Sequence, residues 1–328
     1  MDYYYNFESL DITRLVEQYR GKKIEDIFPN YEIVRGETGE FMKIIWKEDS
    51  FPCKLNLLGT KKKIMRNLKT VYYIGEYIER HLIRRGIKTL NDLLTHLKYR
   101  NSAREVLDLI NRKDYKKLCY NRYVYDLDVL FCFDIEDLLF LDIETLGLYD
   151  SPIIIVGLGF FKDGLFEIHQ FFARDLEDEI AICEYLRSEV FPHFKTFITY
   201  NGKSFDIPYI ANRFLYFFDE NPMISDNDVP YEKSNTMFHH VDLYWNCRRK
   251  FKGQFTSYKL TTMEEELLSW KRGNELPSNL VGVCYKKYKK DPERYVGLIK
   301  EIIEHNYYDL YSMPLILQKL LDNIKNKR

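Results

Sequence analysis

The sequence predicts an α/β protein with a mixed five-stranded sheet flanked by helices, preceded by a smaller, mostly helical region. Three apolar segments, at about residues 137–143, 153–161 and 165–173, lie close together and predict a meander of adjacent strands. A last short strand pattern begins at His239. The helical periodicity of residues 61–119 differs in kind from this strand-rich half, and it therefore predicts a separate helical region.

The elements after the meander alternate between helix and strand. The patterns predict a helix at 176–190, a strand at 196–200, a helix at 205–218, a helix at 244–250 and a long final helix at 293–323. The apolar, aromatic face of the 205–218 helix indicates that it packs into the core. A strand meander followed by a helix, a strand and a helix gives the mixed sheet.

Three regions follow from these patterns. Residues 1–60 contain short alternating segments punctuated by glycine and proline, which predict a small strand-containing arm or a β-hairpin. Residues 61–133 are predicted to be helical, with Gly86 ending one helix and Thr89 capping the next. Residues 134–328 contain the predicted sheet.

Whole-chain properties restrict the class of protein. The 328 residues have a formal net charge of −1, so the chain as a whole is not strongly basic, and 45 % apolar residues suffice for a core. None of the six cysteines forms a C-x-x-C motif, which favours a reducing compartment, the cytoplasm, over a zinc or disulfide framework. The N-terminus lacks a signal-peptide pattern, and no window is apolar enough to span a membrane.

Two acidic residues at the end of a core strand are the most informative feature. In the segment 138–145 (LLFLDIET), Asp142 and Glu144 share one face of a strand, and Leu141 and Ile143 share the other. Neighbouring carboxylates in a partly desolvated place repel each other. Mg²⁺ or Mn²⁺ would relieve that repulsion, because both ions prefer oxygen ligands. The alternative is a strand end with two solvated acids.

Two later positions add to this pattern. Asp206 lies in the first turn of the helix after the Asn201-Gly202 turn, where the helix dipole stabilises a carboxylate. His305 and Asp309 are four residues apart in the last helix and therefore share a face. An ordinary N-terminal helix acid and a surface His–Asp pair are the alternatives for each position taken singly.

In this order, the motifs resemble those of the DEDD exonucleases, which have the ribonuclease H-like fold. More closely, the chain resembles the YprB-type ribonuclease H-like family over roughly residues 134–321. The matching segments are FLDIETLG at 140–147, YNGKSFD at 200–206, HVDL at 240–243, YKL at 258–260 with LL at 267–268, and HNYYD at 305–309.

The resemblance implies a two-metal nuclease site. Asp142, Glu144, Asp206 and Asp309 would be the metal ligands for two Mg²⁺ or Mn²⁺ ions, and His305 would position or deprotonate the attacking water. A departure from the DEDD pattern is that exonucleases with this four-residue spacing usually have Tyr where this chain has His305.

The resemblance also suggests contacts to the nucleic acid. A residue after the first acids wedges against the terminal base in the family, and a glycine lets the backbone come close. The residues expected to contact nucleic acid are Thr145, Leu146, Gly147, Asn201, Phe205 and Lys259.

Within residues 61–133, the segment around Tyr73, Gly75 and Gly86 resembles a helix–hairpin–helix element. Such elements bind DNA phosphates through backbone amides at a helix N-terminus. Tyr73 replaces the usual leading glycine of the turn, which weakens the prediction of phosphate binding. The alternative is a structural helix pair that packs on the nuclease region.

Other acidic, histidine and basic positions have mainly structural interpretations. Asp242 is expected beside the site without being a ligand, and His239 and His240 are expected to be structural. Glu264, Glu265 and Glu266 are predicted to form a solvated helix face. The basic runs at 248–252 and 286–290 are either solvated helix faces or contacts to single strands, with Phe251 or Tyr288 stacking on bases.

The function predicted from the sequence is that of a 3′–5′ exonuclease on single-stranded DNA or RNA, including strands at duplex ends. Two alternatives stay open at this point. One is a non-catalytic nucleic-acid-binding or scaffold protein of the same fold, although four retained carboxylates disfavour it. The other is an endonuclease acting on RNA–DNA hybrids. The sequence identifies no protein partner.

Overall fold

The computed structural model describes residues 12–223, 238–273 and 276–322. The first eleven residues of the predicted arm and the predicted end of the last helix at residue 323 lie outside the described residues. Within the described ranges, no helix is both long and apolar enough to cross a membrane.

Seven strands form one mixed sheet. They are β1 (Tyr31–Arg35), β2 (Glu40–Glu48), β3 (Leu138–Thr145), β4 (Ile153–Lys162), β5 (Leu165–Phe172), β6 (Thr196–Thr199) and β7 (His239–Asp242). Their spatial order is β1-β2-β5-β4-β3-β6-β7. The pairs β3–β6 and β6–β7 are parallel, and the other pairs are antiparallel.

The α-helices of the described residues flank this sheet or precede it. They are α1 (Ile12–Tyr19), α2 (Ile24–Ile27), α3 (Leu58–Met65), α4 (Glu76–Arg84), α5 (Arg100–Asn111), α6 (Tyr115–Cys119), α7 (Asp178–Tyr185), α8 (Asp206–Phe218), α9 (Leu243–Lys250), α10 (Leu260–Met263), α11 (Val281–Lys290) and α12 (Pro292–Leu321). Short π-helical turns extend α7 and α10.

The α/β fold with a mixed sheet is confirmed, but the sheet has two more strands than the five predicted. The extra strands, β1 and β2, come from the N-terminal arm. β2 pairs antiparallel with β5 from Met42 to Glu48, so the arm extends the edge of the sheet. The alternating pattern of residues 41–46 predicted an extended segment, but its partner strand β5 lies more than a hundred residues away and was not visible locally.

Both faces of the central strands are covered, which explains their nearly continuous apolar sequences. On one face, Leu141 and Val156 pack with residues of α7 and α8. On the other face, Ile155 packs against α11 and the first half of α12, and Phe140 packs against the second half of α12. The carboxyl end of β3 thus lies between two helical layers, which shield a carboxylate there from water.

Residues 61–133 contain a small core of their own around Ile64, Leu82 and Ile110. Gly86 follows α4 with a φ of +87°, as its predicted role at a helix end requires. Thr89 accepts a hydrogen bond from the N–H of Asp92, but the helix it begins is only a short 3₁₀ turn. The helix–hairpin–helix assignment and the domain boundaries at residues 60 and 133 stay predictions.

Candidate active site

The first two acids lie at the carboxyl end of β3. Leu141 and Ile143 are buried in the core on one side of the strand, so alternation directs Asp142 and Glu144 to the opposite side. The pairing of β3 with β4 changes register between Glu144 and Thr145, which ends the regular strand immediately after the second acid.

Asp206 is brought to the same strand by the start of α8. β6 pairs with β3 only as far as Phe140, so the edge of β3 beyond that point is free to receive another acceptor. The Oδ1 atom of Asp206 accepts a hydrogen bond from the backbone N–H of Ile143 over 3.1 Å. Because this side chain is only 4 % exposed, the hydrogen bond fixes a desolvated carboxylate beside β3.

The loop before α8 is shaped by Asn201 and Asp242. Asn201 has a φ of +64°, a conformation that asparagine tolerates better than most residues. The backbone N–H groups of Asn201 and Lys203 donate to the two carboxylate oxygens of Asp242, over 3.0 and 3.1 Å. Asp242 also caps α9 by accepting from the N–H of Tyr244. Asp242 therefore holds the loop that places Asp206.

The last helix reaches β3 because residue 157 is a glycine. Gly157 lies opposite Asp142 in the ladder, and a Cβ atom there would be 2.2 Å from Oδ1 of Asn306. A glycine inside a strand permits such a close approach. Nδ2 of the buried Asn306 donates to Oδ2 of Asp142 over 2.8 Å, and its Oδ1 accepts from Gln170. The amide of Asn306 thus connects α12 to the first acid.

One turn of α12 carries His305 and Asp309 to the acids on β3. Nε2 of His305 lies 3.9 Å from Oε1 of Glu144 and 3.7 Å from Oδ2 of Asp309. The shared helix face expected from the four-residue spacing is therefore present. His305 lies between Glu144 of β3 and Asp309 of α12.

Arg272 is a component of the site that the sequence did not predict. Its guanidinium donates to both oxygens of Glu264, with Nε 2.7 Å from Oε2, and Nη2 lies 2.6 Å from Oδ1 of Asp309. The Arg272 side chain is 4 % exposed, and Glu264 is fully buried. The prediction of a solvated face was wrong for Glu264, because the turn after α10 faces α12 rather than water.

Burial and mutual repulsion raise the pKa values of Asp142, Glu144 and Asp206. Desolvation raises the pKa of Asp142 well above its ordinary value, and the charges of Asp309, Asp206 and Glu144 raise it further. Desolvation raises the pKa of Glu144 to about 8, although His305 acts in the opposite direction. Desolvation also raises the pKa of Asp206 to about 7 against the effect of its backbone hydrogen bonds. The site therefore favours positive charge.

A hard divalent cation fits this donor set by its chemistry. Four carboxylates would supply oxygen ligands, and a cation would offset their shared repulsion. In the described ranges, no three acid, histidine or cysteine side chains are already arranged as a closed metal site. Arg272 meanwhile supplies a positive charge to Asp309. The fit thus rests on donor type and repulsion rather than on a preformed coordination sphere.

The residues after the first acids are held by a network of hydrogen bonds. Thr145 Oγ1 donates to the carbonyl oxygen of Gly147, and Tyr209 Oη donates to the same oxygen. Leu146 is partly buried, and its carbonyl lies so close to Gly282 that a Cβ atom there would be 2.1 Å away. The apolar side chains that project into solvent are the next ones, Leu148 and Tyr149, which the sequence reasoning missed.

Phe205, Lys259 and the rings of the basic runs occupy different environments. The ring of Phe205 packs partly against the core, 5.2 Å from that of Tyr209, whereas Lys259 is exposed just before α10. Phe251 is 1 % exposed and Tyr288 is 7 % exposed. The suggestion that either of these two rings stacks on a base was wrong, because both are buried in the core.

His239 and His240 have the structural roles expected of them. Both side chains are buried, and Nε2 of His240 lies 2.9 Å from Oγ1 of Thr199. Nε2 of His239 lies 2.9 Å from the backbone oxygen of Asp126. These contacts tie β7 to β6 and to residues 61–133.

The fold and the acids at the edge of β3 define an RNase H-like protein. A model of the RNase H superfamily matches residues 139–321, which is more than half of the chain, and the chain belongs to this superfamily. Within that superfamily, the chain is similar to YprB. Its sequence is 28 % identical over 181 residues to the uncharacterized protein YprB of Bacillus subtilis (strain 168). The aligned part covers 54 % of this chain and 40 % of that relative, so the chain spans less than half of the relative's length.

Proposed function

We propose that the chain is a metal-dependent nuclease that hydrolyses phosphodiester bonds. The observation that carries the proposal is the convergence of Asp142, Glu144, Asp206 and Asp309, from three separate elements, on one desolvated place. Such a cluster raises the free energy of the fold unless a cation offsets it. The superfamily assignment supports the same chemistry.

In this proposal the four carboxylates hold two Mg²⁺ or Mn²⁺ ions. When bound, such ions lower the pKa of an attacking water and offset the negative charge that develops on the leaving 3′ oxygen. Asn306 positions Asp142 through its hydrogen bond, and Asp242 positions Asp206 through the preceding loop. These two side chains are positioning residues, because they act through the carboxylates.

His305 is the proposed acceptor of the proton from water. Its imidazole lies within 4 Å of both Glu144 and Asp309, so it belongs to the same site. A histidine has an ordinary pKa near neutrality, which suits a general base at physiological pH. Arg272, fixed by Glu264, is proposed to orient Asp309.

The proposed substrate is single-stranded DNA or RNA, degraded from the 3′ end. A cleft of about 250 Å³ beside His305 is lined in part by Trp270, Lys271 and Tyr308, a combination of rings and positive charge that suits a nucleotide. A second groove of about 440 Å³ is lined in part by Tyr149 and Phe205. The 3′–5′ polarity rests on the resemblance to the DEDD exonucleases.

The test is degradation of end-labelled oligonucleotides by the wild type and by Asp142→Asn. Single-stranded DNA, single-stranded RNA and an RNA–DNA hybrid are each incubated with Mn²⁺, with Mg²⁺ or with EDTA. We expect stepwise shortening of a 5′-labelled single strand, dependent on the metal. Asp142→Asn is expected to lower the rate at least about 10³-fold, since each tenfold corresponds to about 1.36 kcal/mol and metal-ion catalysis supplies several kcal/mol.

A matched control is Asp163→Asn in the β4–β5 turn. Asp163 is exposed and has a φ of +51°, which asparagine also tolerates, so the same chemical change is made away from the site. Its rate should equal that of the wild type. Cleavage that persists in EDTA, or that survives Asp142→Asn, would contradict the proposal. Internal cleavage of the hybrid alone would instead identify an endonuclease.

A further inference from the structure

The charge of the chain is divided unevenly between its regions. Residues 61–133, called here the helical region, contain 17 lysine and arginine residues and 8 aspartate and glutamate residues, a formal charge of +9. The rest of the chain contains 32 basic and 42 acidic residues, a formal charge of −10. A net charge of −1 for the whole chain therefore conceals a strongly basic region, which is typical of a surface that binds a polyanion.

A groove of about 550 Å³ in the helical region is lined by exposed aromatic rings. Tyr72 and Tyr73 are 70 % and 72 % exposed, and their ring centroids are 4.1 Å apart. Tyr120, on the other segment that lines the groove, is 51 % exposed. Large exposed rings gathered in one groove commonly mark a binding surface.

The backbone at Tyr73 is strained. Its φ of +65° lies in the left-handed region, where a bulky residue is rare and a glycine would be unstrained. The strain does not bury the ring, since the side chain is largely exposed, so the core gains nothing from a tyrosine here. Local strain of this kind is typical of functional positions.

Two basic side chains line the same groove. The guanidinium of Arg122 lies 4.7 Å from the ring centroid of Tyr123 and donates to its hydroxyl oxygen over 2.8 Å. Nζ of Lys69 lies 5.1 Å from that ring, and it is 3.8 Å from a carboxylate oxygen of Glu79. A neighbouring groove of about 300 Å³ shares Lys69 and Tyr123, and Arg66 lines it as well. The aromatic groove thus continues into one lined by Lys63, Arg66 and Lys69 and also by the acids Glu79 and Asp128.

We propose that this groove binds single-stranded nucleic acid. Bases stack on Tyr72, Tyr73 and Tyr120, and phosphates lie against Lys69 and Arg122. Stacking rings combined with a basic track suit an unpaired strand, because the base faces of a duplex are already stacked on each other. The contacts are made by side chains and are independent of the four carboxylates, so the site goes beyond the proposed nuclease activity.

The experiment is the binding of fluorescein-labelled oligothymidylate and oligouridylate, followed by fluorescence anisotropy at low salt. Asp142→Asn protein in EDTA is used throughout, so that no strand is cleaved and no metal is needed. We expect Tyr73→Gly to weaken binding about 5- to 100-fold, which corresponds to the loss of one base–aromatic stack. Its melting temperature should equal or exceed that of the parent, because glycine relieves the strained φ.

Two further variants separate the contributions. Arg122→Gln should reduce the slope of log affinity against log salt by about 0.7, the value for one phosphate contact to a single strand. The control variant is Tyr216→Ala. Tyr216 lies on α8, outside the groove, and is 73 % exposed, so its removal should leave the affinity unchanged.

The proposal is overturned if the parent protein binds neither oligonucleotide. It is equally overturned if Tyr73→Gly binds as tightly as the parent, or if unlabelled duplex competes as well as a single strand. Loss of binding in Tyr73→Gly together with full metal-dependent cleavage by the wild type supports both proposals. Binding that depends on Tyr73 in a protein without nuclease activity supports the groove and contradicts only the nuclease.

Discussion

The strands and helices around β3 differ from the helical region in the sign of their charged side chains and in how far those side chains are exposed to water. On β3 and its neighbours, acids are concentrated and buried, and desolvation, followed by repulsion from neighbouring acids, raises the pKa values of Asp142 and Glu144. In the helical region the excess charge is positive and is spread over short exposed helices, beside rings such as Tyr73 that are mostly in solvent.

This difference has a consequence for how each region tolerates change. The acids depend on contacts between distant elements, since Asn306 reaches Asp142 and Arg272 reaches Asp309 only because the fold is closed. The groove depends on side chains of two short segments, 69–75 and 120–123. A substitution in the acidic site should therefore change both activity and stability. A substitution in the groove should change nucleic-acid binding and leave stability unaffected.

The largest expected effect on stability comes from removing Arg272, which contacts Asp309. Arg272→Met leaves Glu264 buried without its cation, which should lower the free energy of unfolding by about 3–5 kcal/mol. Adding Glu264→Leu should recover most of that loss, because an apolar pair of similar volume is tolerated. Urea unfolding measures both changes.

The matched control for this prediction is Arg213→Met. Arg213 forms a comparable buried pair with Glu179, at 2.7 and 2.6 Å, and its loss should destabilise the fold to a similar extent. The Arg272 and Glu264 double variant should lose nuclease activity per folded molecule and Arg213→Met should not, because Arg272 contacts Asp309 whereas Arg213 pairs with Glu179. A fully active double variant would show that Arg272 serves stability alone.

Addition of Mn²⁺ tests whether the acidic site lacks a counter-charge. A free ion concentration of about 100 times the dissociation constant should stabilise the fold by about 2.7 kcal/mol, and EDTA should reverse the change. Thermal unfolding should show this shift in the wild type and in Tyr73→Gly, because the groove variant leaves the acids intact. An equal shift in Asp142→Asn would mean that the ion binds elsewhere.

A smaller loss of stability is expected when the glycine that lets α12 approach β3 is replaced by alanine. Gly157→Ala places a Cβ atom 2.2 Å from Oδ1 of Asn306, so the helix or the strand must shift, at a cost of about 1–3 kcal/mol. Because α12 carries His305 and Asp309, the rate of cleavage should fall as well. Oligonucleotide binding by the groove should stay unchanged, and a parallel loss of binding would refute the independence of the two regions.

Much of the fold was predictable from local patterns. The strands at about 137–143, 153–161 and 165–173 and the helix at 205–218 were predicted to within a few residues, because their periodicities and end signals are local. The place of the arm was not predicted, since the pairing of β2 with β5 joins distant segments. The burial of Glu264 was missed because it depends on the packing of the turn after α10 against α12, which is distant in the chain.

The groove shows a different limit of sequence reasoning. The excess of positive charge in residues 61–133 can be counted from the sequence, and that count would have directed attention to the region despite the net charge of −1. The exposure of Tyr72 and Tyr73 could not be counted, because tyrosine is common in this chain both in the core and on the surface. Burial of an aromatic ring is decided by what packs against it.

The sequence by itself determined the order of the elements, the α/β class and the identity of the acids at strand and helix ends. Those features depend on alternation, helical spacing and turn residues within a few positions of each other. Only the tertiary structure decided that Asn306 bonds to Asp142, that Arg272 bonds to Asp309 and that the arm joins the sheet. Each of these depends on the close packing of segments far apart in the chain, which local periodicity does not encode.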